Sequence, residues 1–103
     1  IVATNSTVTN CTANNNSSDG FNLSNSIVTN CTANDNETNG FYLNDNNRVE
    51  GNSSHNNGQV GFNIPGVHNI VIRNVTFGCM FNYVIGLDNV VPRTGDNTNY
   101  PER

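Results

Sequence analysis

Lysine is absent from this 103-residue chain, and its four arginines are scattered singly. It therefore lacks the basic patch through which a protein holds nucleic acid. No apolar run approaches the ~18 residues of a membrane-spanning helix, so membrane insertion is not expected, and no signal peptide is visible. Helix formers are scarce, and no segment shows the 3.6-residue apolar period of an amphipathic helix. The three cysteines contain no C-x-x-C pair, which argues against zinc and thioredoxin-type sites. An odd number also suits a disulfide framework poorly. Hydrophobic residues make up 34% of the chain and charged residues 12%. The first figure is low for a globular domain, and the second is too low for the high-charge signature of disorder.

Asparagine fills the gap, with 24 of the 103 positions. Its placement is periodic. Asn10-Cys11-Thr12-Ala13-Asn14 returns as Asn30-Cys31-Thr32-Ala33-Asn34, and Gly20-Phe21, Gly40-Phe41 and Gly61-Phe62 recur at spacings of 20 and 21. Val8, Val28, Val49 and Ile72 mark a second landmark. Four units follow, about Ser6–Asn25, Ser26–Asn46, Asn47–Gly66 and Val67–Gly86. Within a unit the alternation has period two. In the second unit Val28, Cys31, Ala33, Phe41 and Leu43 face one way, and Thr29, Thr32 and Tyr42 the other. The step from Val28 to Cys31 is out of phase by one, which requires a bend at Asn30. The fourth unit reads in the same way, with Ile70 and Ile72, then a bend at Asn74, then Val75 and Phe77.

A unit of three short strands cannot bury its apolar face alone. Stacked coils can, by forming parallel sheets at ~4.8 Å per coil. Equivalent residues then lie over one another. Asn10, Asn30 and Asn74 are expected in one bend column, with Gly51 supplying the third coil, because asparagine and glycine accept the left-handed conformation. Asn14, Asn34 and His55 form a second column. Cys11 and Cys31 share a core position, as small free thiols, and Phe21, Phe41 and Phe62 form an aromatic stack. The expected fold is all-β: a parallel β-helix (solenoid) of about four coils of 20–22 residues. Residues 1–5 read as the end of a preceding coil, 6–86 as the helix coils, and 87–103 as an irregular tail, cap or linker. Pro92 and Pro101 disfavour further ladder strands there. Ile1-Val2-Ala3-Thr4-Asn5 opens in mid-pattern, so the chain reads as a fragment of a longer protein.

This combination of alternating β residues, spaced asparagines and Gly-aromatic-x-Leu resembles the right-handed parallel β-helix of the pectin-lyase-like superfamily over residues 6–86. The resemblance implies a carbohydrate-related setting. Its members include polysaccharide lyases, hydrolases and epimerases, bacterial surface proteins, and phage tailspikes and appendages, which are commonly trimers.

The residues support some of these roles better than others. Hydrolases of this fold use clustered aspartates as general acid and base, and lyases use calcium with a basic residue. The acids Asp19, Asp35, Glu37, Asp45, Glu50, Asp88, Asp96 and Glu102 match neither pattern and read as solvated turn residues. No catalytic residue is assigned. No cofactor is expected beyond a weak Ca²⁺ site at the oxygen-rich turns, because the calcium-binding glycine-rich nonapeptide is absent. Tyr42 is an outward aromatic beside Asn22 and Asn63, which suits a sugar-stacking platform. Arg73 could neutralise an acidic sugar. His55 reads as a stacking residue and His68 is isolated. Sequons such as Asn10-Cys11-Thr12, Asn30-Cys31-Thr32 and Asn74-Val75-Thr76 arise from composition. The fourth unit is unusually apolar, and Phe77, Met80, Phe81, Tyr83, Val84 and Ile85 cannot all face inward.

The function that fits best is a structural, glycan-binding β-helix segment of a phage or viral appendage or a bacterial surface protein. Its expected location is extracellular, at the cell surface or on a virion. Its expected partners are a polysaccharide or cell-surface glycan and further copies of the parent chain in a homotrimer. The alternative is a fragment of a polysaccharide lyase, hydrolase or epimerase whose active site lies in coils outside this sequence.

Overall fold

A computed structural model describes residues 1–92 and 97–98 of the chain. Strands of three to five residues follow one another, and no helix occurs among the described residues. In chain order they are β1 (Val2–Thr4), β2 (Thr7–Thr9), β3 (Thr12–Asn14), β4 (Phe21–Ser24), β5 (Ile27–Thr29), β6 (Thr32–Asn34), β7 (Phe41–Leu43), β8 (Arg48–Glu50), β9 (Ser53–His55), β10 (Val60–Ile64), β11 (Ile70–Ile72), β12 (Val75–Phe77) and β13 (Phe81–Ile85). Each strand pairs in parallel with the strand three places further on. The first sheet is β1-β4-β7-β10-β13, the second β2-β5-β8-β11, and the third β3-β6-β9-β12. One strand from each sheet makes a coil, and about four coils stack into a parallel β-solenoid, as the repeat predicts.

The corners explain the asparagine content. Each is turned by a residue in the left-handed region: Asn5, Asn25, Asn46, His68 and Asp88 between the first and second sheets, Asn10, Asn30, Gly51 and Arg73 between the second and third, and Asn15, Asp35, Asn56 and Gly78 after the third. Asparagine reaches this region at little cost because its short polar side chain bonds locally. The predicted bend at Asn30 is present, with φ of 54°. Gly51 takes the same place one coil on, with φ of 71°.

The inside is a set of single-residue columns. Phe21, Phe41 and Phe62 are fully buried and stack face to face, with successive centroids 4.7 Å apart and planes within 6°. Tyr83 continues the stack at 5.3 Å. Leu23, Leu43 and Ile64 form the next column, and Val28, Val49 and Val71 line the second sheet. Each of these side chains contributes about 1.5–3 kcal/mol by leaving water. The glycine before each phenylalanine is a close-approach position. A Cβ on Gly40 would overlap the Ser54 hydroxyl and lie 2.8 Å from the Gly61 carbonyl oxygen.

Three expectations are corrected. The fourth member of the valine column is Val71, not Ile72, because Ile72 lies over Glu50. Asn74 does not belong with Asn10 and Asn30. Arg73 holds that bend, and Asn74 lies one residue further, directly over Asn52. In the fourth coil the inner residues are Val71, Asn74 and Thr76, whereas Ile70, Ile72 and Val75 are only partly covered and Phe77 is exposed. The solenoid also runs past Gly86. His68, Asn69 and Val71 donate backbone or side-chain bonds to Asp88, Asn89 and Val90, and Thr98 bridges to Val75. The rest of the tail, residues 93–96 and 99–103 with Pro101, lies outside the described residues.

Candidate functional site

The outer face of the first sheet presents the residue set with most chemical scope. Phe41 and Leu43 anchor β7 in the core, so the pleat turns Tyr42 outward. Asn22 on β4 and Asn63 on β10 lie directly beside it in register. Asn44 continues the face and donates from Nδ2 to Asn22 Oδ1 at 2.9 Å and to the Leu23 carbonyl at 3.1 Å. Asn63 Nδ2 makes a long contact of 3.5 Å with Asn39 Oδ1. A half-exposed phenol ring flanked by amides can pack on the C–H face of a sugar and bond its hydroxyls. The described residues form no pocket, so this is an open face.

Arg73 sits elsewhere. It turns the corner between the second and third sheets and pairs with Glu50, which also meets Arg48 Nη2 at 3.2 Å. Tyr42 lies in the middle of the first sheet, so the two candidate ligand contacts are not brought together. Two of the acids are engaged in the framework. Asp19 Oδ1 accepts from Thr38 Oγ1 at 2.7 Å and from Asn39 Nδ2 at 2.8 Å, and Asp45 Oδ1 accepts from the Val67 amide at 2.9 Å. Among the described residues no three His, Cys, Asp or Glu side chains converge.

The columns read from the sequence lie as follows. Asn14, Asn34 and His55 are in register on the outer face of the third sheet. The His55 ring stacks on Phe77, with centroids 4.3 Å apart and an interplanar angle of 7°. Cys11 and Cys31 share a column, and all three cysteines are free. Burial pushes the Cys31 thiol up, and its neighbour Cys11 adds smaller opposing effects. Cys31 Sγ contacts the Thr29 carbonyl at 3.3 Å and, in the coil below, the Val8 carbonyl at 3.7 Å.

Sequence reasoning missed the buried polar ladders. The residue after each left-handed corner points inward, and three ladders result. The first runs through Ser26, Asn47, Asn69 and Asn89. The second continues the cysteine column through Asn52, Asn74 and Asn97. The third is Asn16, Asn36 and Asn57. Each inner amide serves two coils. Asn52 Oδ1 accepts from the Cys31 amide at 2.8 Å, and Asn52 Nδ2 donates to the Val28 carbonyl at 3.0 Å and to Asn74 Oδ1 at 3.1 Å. The available signal was the dipeptide of a bend residue followed by asparagine, as in Asn46-Asn47, Gly51-Asn52, Asn56-Asn57 and His68-Asn69. Asn36, Asn52 and Asn74 each begin a sequon, and their burial makes those amides part of the framework.

Three parallel sheets wound around stacked single-residue columns define a β-solenoid. The family model of the right-handed β-helix region matches residues 2–89, and the chain belongs to that family. The pectin-lyase-like superfamily is consistent with this assignment. Neither a curated protein nor a solved structure matches the chain.

Proposed function

We propose that these coils are a rigid segment of a longer β-helical shaft that holds a polysaccharide or cell-surface glycan against the outer face of its first sheet. The observation that supports this reading is the register of Asn22, Tyr42 and Asn63, which sets an aromatic face between two amides. The ladders support it indirectly. A surface whose strands are fixed from the inside loses little entropy when it engages a repeating polymer. The setting that suits such a shaft is extracellular, on a phage or viral appendage or a bacterial surface protein.

A homotrimer of the parent protein is part of the proposal. Phe77, Met80, Phe81, Val84, Leu87 and Val90 are exposed on and after the fourth coil, and apolar surface of that kind favours a covering chain. Sedimentation of the parent protein as a clean monomer would remove this part. The glycan reading is tested on a polysaccharide array scored for retention and for depolymerisation. Retention without new chain ends is the expected result. New reducing or unsaturated ends would transfer the segment to a lyase or hydrolase, and loss of all retention would refute the reading.

A further inference from the structure

The face around Tyr42 carries no charge, unlike that of the second sheet, which bears Arg48 and Glu50. Asn22, Ser24, Tyr42 and Asn63, all partly exposed on this face, are uncharged. The two arginines among the described residues both pair with Glu50, away from the first sheet. Acids border the face instead. Asp19 and Glu37 precede β4 and β7, and Asp45 follows β7, with Glu37 and Asp45 exposed. An anionic polymer laid across Tyr42 would run beside these carboxylates, and neither described arginine reaches this face to offset them.

The amides point the same way. Asn22 Oδ1 is taken by Asn44, which leaves Asn22 Nδ2 as a donor. Asn63 Nδ2 is turned to Asn39, which leaves Asn63 Oδ1 as an acceptor. A donor on one side of the ring and an acceptor on the other suit hydroxyl groups, which do both. A carboxylate only accepts, and would meet the Asn63 carbonyl oxygen as a like dipole.

The geometry points to a neutral hexose polymer, rather than a uronate polymer, as the ligand of the Tyr42 face. This rests on the glycan reading above. The test is affinity electrophoresis of the full chain through gels containing galactan, mannan, glucan or polygalacturonate, at low and high salt. Retardation by at least one neutral polymer is expected, unchanged by salt. Tyr42→Ala should weaken it about tenfold, and Tyr42→Phe should keep most of it. Circular dichroism checks that both variants stay folded, as the half-exposed position predicts. Retardation by polygalacturonate that Tyr42→Ala abolishes would leave the glycan face standing and overturn its neutrality. Retardation that Tyr42→Ala does not change would overturn this site. Failure of every polymer to bind would remove both readings.

Discussion

Asn52→Asp is the sharpest probe of the buried ladders, because it changes no volume and replaces one donor group. Asn52 is 1% exposed. Its Nδ2 supplies two bonds, to the Val28 carbonyl and to Asn74 Oδ1. In the variant an ionised oxygen would face both acceptors inside the core. Desolvation and these two oxygens push the carboxyl pKa up, by as much as ~3–5 units for a fully buried group. Neutralising it at pH 7, starting from an unfolded value of ~3.9, costs up to about 4 kcal/mol at ~1.4 kcal/mol per unit. The protonated carboxyl has one donor where the amide had two, so one acceptor stays unpaired at a further ~1–3 kcal/mol. The loss is therefore about 5 kcal/mol at neutral pH, a large share of the ~5–15 kcal/mol that holds a small domain together. The sign with pH follows from linkage. The folded pKa lies above the unfolded one, so the penalty is smallest below about pH 4 and grows as pH rises towards the folded pKa. Urea unfolding followed by circular dichroism at several pH values measures both quantities. A variant within ~1 kcal/mol of wild type at pH 7, with no added pH slope, would refute the view that the inner amide donors hold the coils together.

Phe41→Ala removes the middle ring of the aromatic stack and should cost about 3–5 kcal/mol in the same unfolding assay, whereas Phe41→Leu should cost less than half of that. Gly40→Ala, whose Cβ would collide with Ser54, should lower stability by at least ~1–3 kcal/mol despite the small change. Cys31→Asn should extend the second ladder by one rung and raise stability by about 1 kcal/mol, read as a higher urea midpoint. In native protein, an alkylating reagent should modify Cys11 before Cys31, because burial keeps the Cys31 thiol protonated to higher pH. An intact mass showing a bridge between the two would contradict the free pair.

Much of this architecture was legible because the informative residues were large or unusual. Gly40-Phe41 and its copies fixed the coil period, since only a stacked ring column needs a phenylalanine behind a glycine at every turn. Asn10 and Asn30 were legible as bends because the alternation slipped by one beside them. Tyr42 was legible as outward for the same reason, lying between two core residues. The fourth coil was not. Ile70, Val71 and Ile72 are all β-branched and apolar, so alternation offers no contrast between faces. The flanking ladder residues Asn69 and Asn74 decide it, and they put Val71 inside. Asn74 was misassigned because the coils lengthen by a residue at the first corner, which shifts every later count. The ladder asparagines were hidden by their company. A buried Asn47 and the exposed Asn46 before it are the same letter, and only their place after a left-handed residue separates them.

Corner length has a consequence for engineering. Between the phenylalanine sheet and the first ladder, two residues separate Leu23 from Ser26, three separate Leu43 from Asn47, and four separate Ile64 from Asn69. The neighbouring corner never varies: one residue lies between Thr29 and Cys31, Glu50 and Asn52, and Ile72 and Asn74. The molecule thus has one elastic seam and one rigid one. Foreign loops grafted between Leu43 and Asn47 should leave the coils in register, so the solenoid can serve as a ruler with display sites along a single edge.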